Sequence, residues 1–396
     1  MNKKIEHNKH KPIILTFVAY YLPGYKSGGP VRTIANMVDQ LSHELDFRIV
    51  TSDRDSFDTK PYQNILTDEW NAIGHAKVFY TTPTKRSLRC MARIINSTPH
   101  DVLYLNSFFR PAFTVQPLML QYFGLIQKSP VVIAPRGEFS KGALELKSRK
   151  KKLYIAAVKA IGLYRNVLWQ ASSEFEAEDI VREMGTSVEK IIIAKDLPAL
   201  PHDDVHIHKK DRTVEEPLRV CFLSRIDPMK NLDFALRVLA EVAVPVVFDI
   251  YGVIDKMTYW QDCQILIKKM PPHVKVNYCG AIDHDLVLYE LAKHDLFFFP
   301  TRGENFGHVI HEALSAGLPV LISDQTPWRD LESLGIGWDL PLSNQRKFIE
   351  IIELNASLFG KAQSELKCAV IQYAKHVAKD TNVLSSNLAL FTDILE

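Results

Sequence analysis

Apolar residues recur along this chain in short runs, separated by polar stretches rich in turn-forming residues. Residues 12–20, "PIILTFVAY", form one such run of strand length. Residues 30–45, "PVRTIANMVDQLSHEL", place apolar positions at helical spacing, with Pro30 suited to a first turn. Strand patterns follow at 46–53, 101–107, 130–137 and 189–196, the last strand expected in this half. Apolar runs alternating with helices predict a parallel sheet covered on both faces.

The pattern lapses over 197–218, "LPALPHDDVHIHKKDRTVEEPL", which has three prolines, many charges and no apolar period. It reads as an inter-domain linker, and its histidines 202, 206 and 208 fit a solvated linker better than a metal site. The alternation then restarts. Strands are expected at 219–226, 245–252, 274–280, 295–301 and 319–324, and helices at 231–242 and 284–294. Asn231 stands where an N-cap would stand. "HVIHEALSAG" predicts a helix closed by Gly317, with Pro319 just beyond. The expected fold class is α/β, two Rossmann-like domains in tandem. The expected bounds are 1–198, a linker over 199–217, a second domain over 218–375, and a C-terminal helix at 376–396 that packs back on the first domain.

Composition adds bounds. A chain of 396 residues holds about two domains. Its net charge of +2 offers no global attraction to nucleic acid, and none is expected as a partner. Five scattered cysteines, with no CxxC pair, argue against a disulfide framework or a zinc site and for a reducing compartment. "MNKKIEHNKHK" before an apolar run imitates a signal peptide. A Gly-rich turn follows in place of a small-residue cleavage site, so a first buried strand is the better reading. No apolar run reaches the ~18 residues that span a bilayer.

The candidate chemistry centres on 302–323, "RGENFGHVIHEALSAGLPVLIS". Glu304 and Glu312 follow the almost wholly apolar "HDLFFFPT". Ligands of such sheets bind outside the carboxyl ends of the strands. Backbone N–H groups near Asn305, Phe306 and Gly307 would face the crevice, and a helix N-terminus favours phosphate. Glu312 is expected about two helical turns beyond Glu304. Either glutamate alone reads equally as a solvated charge; the flanking strand patterns make the combination specific.

This stretch resembles the donor-site signature of the family 4 retaining glycosyltransferases, whose GT-B fold has two Rossmann-like domains facing an inter-domain cleft. The resemblance covers nearly the whole chain. It implies that Glu304 binds hydroxyls of a donor sugar and Glu312 the ribose of a nucleotide. "LSRIDPMKNLDFAL" (223–236) matches a second family element, implying that Arg225 and Lys230 hold the donor diphosphate and stabilise charge on the leaving phosphate. "GYKSGGPVRTIANMV" (24–38) is similar to a third, implying that Gly28 and Gly29 let backbone approach the diphosphate and the acceptor. Arg32 is an anion contact or a solvated charge. "CGAID" (279–283) implies nucleobase contacts at Ala281 and Ile282. Many relatives carry a histidine where "IAPRGEFSKGAL" has Arg136, and an arginine cannot serve there as a general base. Arg136 is expected near the sugar, the phosphate or an anionic acceptor.

The expected activity is sugar transfer, with retention, from a nucleotide-diphosphate donor to a glycan acceptor, lipid-linked, in surface-polysaccharide assembly. No cofactor or metal is required by this resemblance. Two acidic pairs, "DRD" (53–55) and "DHD" (283–285), offer a metal-dependent alternative, although both sit where turns and caps are expected. His308 and His311 are only three apart and form no zinc motif. A sugar-nucleotide epimerase and a membrane-surface scaffold are the rival functions. Segment 147–165 begins with Lys147, Arg149, Lys150, Lys151 and Lys152. Leu153, Ile155, Ala156, Ala157, Val158 and Ile161 follow, then Lys159 and Arg165. As a helix it would be basic and partly amphipathic, fit for an anionic membrane surface. The expected location is cytoplasmic, peripheral at the inner face of the cytoplasmic membrane.

Overall fold

The computed structural model describes residues 11–145, 148–200 and 212–396. The three linker histidines and Lys147 lie outside them. By contacts the chain forms two units. Among the described residues, the first comprises those of 11–24, 34–195 and 381–396, and the second those of 25–33 and 196–380.

The first unit carries strands β1 (Ile13–Phe17), β2 (Asp46–Ser52), β3 (Trp70–Ile73), β4 (Ala76–Thr81), β5 (Val102–Asn106), β6 (Val131–Ala134), β7 (Leu168–Ala171) and β8 (Ile191–Ile193). Their order across the sheet is β3-β4-β2-β1-β5-β6-β7-β8. All pairings are parallel except β3 with β4, an antiparallel edge hairpin whose turn contains Gly74 at φ +56°. β1 and β5 are buried at every position because helices cover both faces, as the apolar runs require. The helix Glu174–Met184 shows local sequence setting both ends. Ser173 Oγ accepts from Glu176 N at 3.2 Å, and Gly185 closes the helix in the left-handed region at φ +67°. The helix Thr381–Thr392 packs on this unit: Phe391 meets Tyr104 and Phe47 edge-on, and Asn387 donates to the Lys195 carbonyl. Residues 376–378 instead end the helix Gly360–Ala378, which belongs to the second unit.

The second unit carries β9 (Leu218–Leu223), β10 (Val246–Tyr251), β11 (Val274–Gly280), β12 (Leu296–Phe299), β13 (Val320–Ser323) and β14 (Gly337–Leu340). The order is β11-β10-β9-β12-β13-β14, parallel throughout. This is the doubly wound arrangement with its topological switch between β9 and β12. Phe297, Phe298 and Phe299 are fully buried, and burying each contributes about 1.5–3 kcal/mol. The strand that positions the candidate loop is thus among the firmest parts of the unit.

Candidate active site

Both loops at the switch point end in charged residues, and the chain ties them together. After β9, Asp227 opens a single turn over Pro228–Lys230, its carboxylate accepting from Met229 N at 2.8 Å. Burial opposes its charge, but the Met229 N–H and Lys256 hold its carboxyl below the usual range. After β12, Arg302 N and Thr301 Oγ1 both donate to the Met229 carbonyl, at 2.8 and 3.1 Å. Asn231 does not cap the next helix with its side chain. It adopts the left-handed region (φ +60°), donates Nδ2 to the Pro300 carbonyl at 2.9 Å and accepts from Arg302 Nε at 3.0 Å. The expected cap is therefore a clamp between loops, because the turn before it consumes the geometry a cap would need.

The clamp brings Lys230 and Glu304 into direct contact as an ion pair. Their side chains are 14% and 15% exposed, and Lys230 Nζ lies 5.7 Å from the Phe299 ring centre. Arg225 sits further out, 42% exposed, with Nη1 3.0 Å from Asp255 Oδ2. Its loop depends on Gly252, a residue the motifs did not single out. At φ +134° a Cβ there would stand 1.8 Å from the Ser224 carbonyl oxygen. The sequence signal was a glycine ending a strand pattern, which marks close backbone approach.

Downstream, Gly307 occupies the N-cap position of the helix His308–Ser315 at φ +81°, and no side chain caps it. Its first N–H groups carry the positive end of the helix dipole. The helix begins only at His308, so Glu312 lies about one turn into it, not two turns beyond Glu304. Phe306 is held by its carbonyl, which accepts from Trp328 Nε1 at 2.6 Å, and Asn305 precedes it in the same loop.

Glu312 is 13% exposed and 3.9 Å from His284 Nδ1. Burial pushes its carboxyl up to about 7, against the opposing charge of Arg32. Arg32, Gly28 and Gly29 belong to segment 25–33, which is counted with this unit. Within the same segment Thr33 Oγ1 is 2.8 Å from His308 Nε2. Gly28 adopts φ +66°, and a Cβ on Gly28 or Gly29 would meet nothing within 4 Å. Gly28 is thus required by conformation, while both leave open space over the backbone. Ala281 is exposed and Ile282 half-buried, two residues before His284. His311 is a core residue: burial lowers its imidazole to about 4, and Nε2 lies 3.1 Å from the Ala374 carbonyl.

The remaining candidates lie in the first unit. Arg136, at φ +58°, donates from Nε and Nη2 to Asn106 Oδ1 at 3.1 and 2.9 Å, and from Nη2 to Tyr104 Oη at 2.5 Å. Asp53 of the first acidic pair is shared by Arg54 and Arg86, and Asp283 of the second makes no side-chain cap bond. Among the described residues no group of three or more His, Cys, Asp or Glu could hold a metal ion.

The helix Ser148–Ala160 corrects the amphipathic reading of its segment. Ile155 and Val158 are buried in the first unit's core, while Leu153 is 73% and Ile161 55% exposed. The apolar face is divided because part of it enters the first unit's core cluster. The exposed part continues through Tyr122, whose hydroxyl donates to the Ile161 carbonyl at 3.1 Å, to Phe123 and Leu125. Among the described residues no helix is long and apolar enough to cross a membrane.

Comparison with known proteins fits this geometry. Residues 204–354 match the family described as glycosyl transferases group 1. An uncharacterized 41.2 kDa protein in the cps region of Klebsiella pneumoniae is 23% identical over 297 residues, 74% of this chain and 78% of that protein. HepE from Anabaena, solved with UDP and glucose, matches with a TM-score of 0.65 and 15% identity over 97% of this chain and 99% of that one. WaaG, a glycosyltransferase involved in lipopolysaccharide biosynthesis, matches with a TM-score of 0.62 and 15% identity over 96% and 99%. At such identities the structural matches show the fold, which is GT-B, two Rossmann-like domains.

Proposed function

We propose that this chain, whose residues 204–354 match the glycosyl transferases group 1 family, is a retaining glycosyltransferase that moves a sugar from a nucleotide-diphosphate donor to a lipid-linked glycan in surface-polysaccharide assembly. The observation that carries it is the Lys230–Glu304 pair at the β9/β12 switch point, beside the uncapped N-terminus at Gly307. On donor binding, the diphosphate takes Lys230, Arg225 and the helix N–H groups. Glu304 then accepts from hydroxyls of the sugar. As the bond from anomeric carbon to phosphate oxygen breaks, its electron pair stays on the phosphate, where the two cations stabilise it. The acceptor hydroxyl attacks from the same face and its proton passes to the leaving oxygen. NMR of the product tests this: the donor's anomeric configuration should be kept, and inversion would refute the mechanism.

Glu312 gives a pH signature. HepE was also solved with UDP-glucose, which is therefore the first donor to try. To accept from both ribose hydroxyls, Glu312 must be ionised, and its carboxyl sits at about 7. Affinity for UDP-glucose, measured by calorimetry, should rise about tenfold from about pH 6 to about pH 8. Glu312→Gln should be flat across that range. The same rise in the variant would remove Glu312 from the ribose role.

The lipid-linked acceptor is supported by the exposed basic and apolar residues Arg149, Lys150, Lys152, Leu153 and Ile161. Each cation near an anionic surface contributes about 1 kcal/mol, fading within a Debye length. The protein should co-sediment with anionic vesicles at low salt and be released at high salt, with neutral vesicles binding little. Reversing Lys150 and Lys152 to Glu should weaken binding about tenfold or more. Equal, negligible binding to both vesicle types would overturn this location.

A further inference from the structure

The first unit has a switch point of its own, between β1 and β5, because the connections run outward from there in opposite directions. Ligands gather at such crevices. Two arginines stand on loops at the carboxyl end of this sheet, Arg110 after β5 and Arg86 after β4, two strands from β1, and each rests on an aromatic ring.

Arg110, four residues past the end of β5, holds its guanidinium 5.8 Å from the ring centre of Tyr20, which follows β1. The contact joins the loops on either side of the switch point. Arg110 is exposed and, among the described residues, makes no ion pair. It also opens the π-helical turn Pro111–Val115, with Val115 N donating to the Arg110 carbonyl at 3.1 Å. Such turns are frequent at functional sites. This one places Phe113 beneath Arg86, 5.6 Å from guanidinium to ring centre.

Arg86 follows β4 and is braced by Ser52 Oγ at 2.6 Å, the Thr81 carbonyl at 2.9 Å and Asp53 at 3.4 Å. Asp53 cannot neutralise it fully, because Arg54 already takes both of its oxygens, at 2.8 and 2.9 Å. Both guanidiniums are oriented by aromatic faces, Arg110 by Tyr20 and Arg86 by Phe113. The Arg110 guanidinium suits an oxyanion, which its planar fork binds in two-point geometry, while Arg86, with Nε and Nη2 engaged by Thr81, Ser52 and Asp53, adds charge.

Resting on the glycosyltransferase reading above, we propose that this crevice binds an oxyanion of the acceptor, a phosphate ester or a sugar carboxylate, with Arg110 as the direct contact and Arg86 as the second cation. The crevice thus selects acceptors by charge, separately from the donor site.

The test uses the full chain with Lys230→Ala, which removes a competing anion contact at the donor site. Inorganic phosphate is followed by phosphorus NMR line broadening, and glucuronate by proton saturation transfer, with glucose as the neutral control. At least one anion should bind and glucose should not. Adding Arg110→Ala or Arg110→Glu should weaken that anion by about tenfold or more, and Arg110→Lys should restore part of it. Phosphate alone would identify a phosphate ester, glucuronate alone a carboxylate, and binding of both the shared oxyanion chemistry. Anion binding unchanged by Arg110→Glu, or no anion binding at all, overturns the proposal. UDP-glucose affinity of the chain with Lys230 intact is measured alongside. Its loss would count against the transferase reading and leave the Arg110 result to stand separately.

Discussion

Replacing Lys230 by alanine should lower kcat by about a hundred- to a thousandfold, while KM for the donor changes far less. The asymmetry follows from when the charge appears. On the proposed donor mode, the ground-state diphosphate would share its charge among Lys230, Arg225 and helix N–H groups, so one cation would matter little. In the proposed transition state the leaving oxygen gains charge, and Lys230, at the end of the turn Pro228–Lys230, would be the ammonium that meets it. Arg225→Ala should cost less, because that side chain is 42% exposed and solvent screens it. Steady-state kinetics on both variants distinguish these cases. A Lys230→Ala enzyme with normal kcat and raised KM would make Lys230 a binding residue only. Thermal unfolding of the variant is measured alongside, because a partly unfolded population would also lower kcat at unchanged KM.

Arg212→Ala should destabilise the second unit by about 3–5 kcal/mol. The Arg212 and Asp295 side chains are 2% and 3% exposed, with Nε 3.7 Å from Asp295 Oδ2. Burial lowers the Arg212 pKa, while Asp295 and Glu216 act to keep it charged. Its Nη2 donates to the carbonyls of Asn355, Ala356 and Leu358 at 3.1, 2.8 and 3.2 Å, closing the end of the helix Gln345–Ala356. Its guanidinium lies 4.6 Å from the Phe359 ring centre. Truncation removes the cation beside the buried Asp295 carboxylate, which keeps Arg219 N and Gln363 Nε2 as donors, and unsatisfies helix-end carbonyls at the same time. Lysine should rescue little, since a point charge cannot reproduce the fork. Denaturant unfolding, with hydrogen exchange on the helix Gln345–Ala356, measures the effect. A loss below about 1 kcal/mol would show that water satisfies the site.

The sequence carried the strands well where apolar runs were long. β1, β2, β5, β6, β8, β10, β11, β12 and β13 fall within expected segments and β9 begins one residue before its own, because strands of a covered parallel sheet must be apolar on both faces. It missed β3, β4, β7 and β14. β3 and β14 are short, partly exposed strands at the edges of their sheets, where burial no longer dictates composition. The apolar residues of 153–161 were read as one surface because periodicity does not say what a helix face meets. Ile155 and Val158 went to the core, and Leu153 and Ile161 to solvent.

What the sequence determined by itself was the alternation of strand and helix and the position of charged loops after particular strands. Both are local consequences of side-chain periodicity and turn chemistry, as with Pro228 after Asp227 or Gly307 before His308. Only the tertiary structure decided which loops meet. Lys230 and Glu304 are 74 residues apart in the chain, and they pair because β9 and β12 are neighbours in the sheet. Arg110 reaches Tyr20 because β5 lies beside β1. Strand order comes from how whole helices and strands bury their faces against one another, a sum over many distant contacts that no short window of sequence contains.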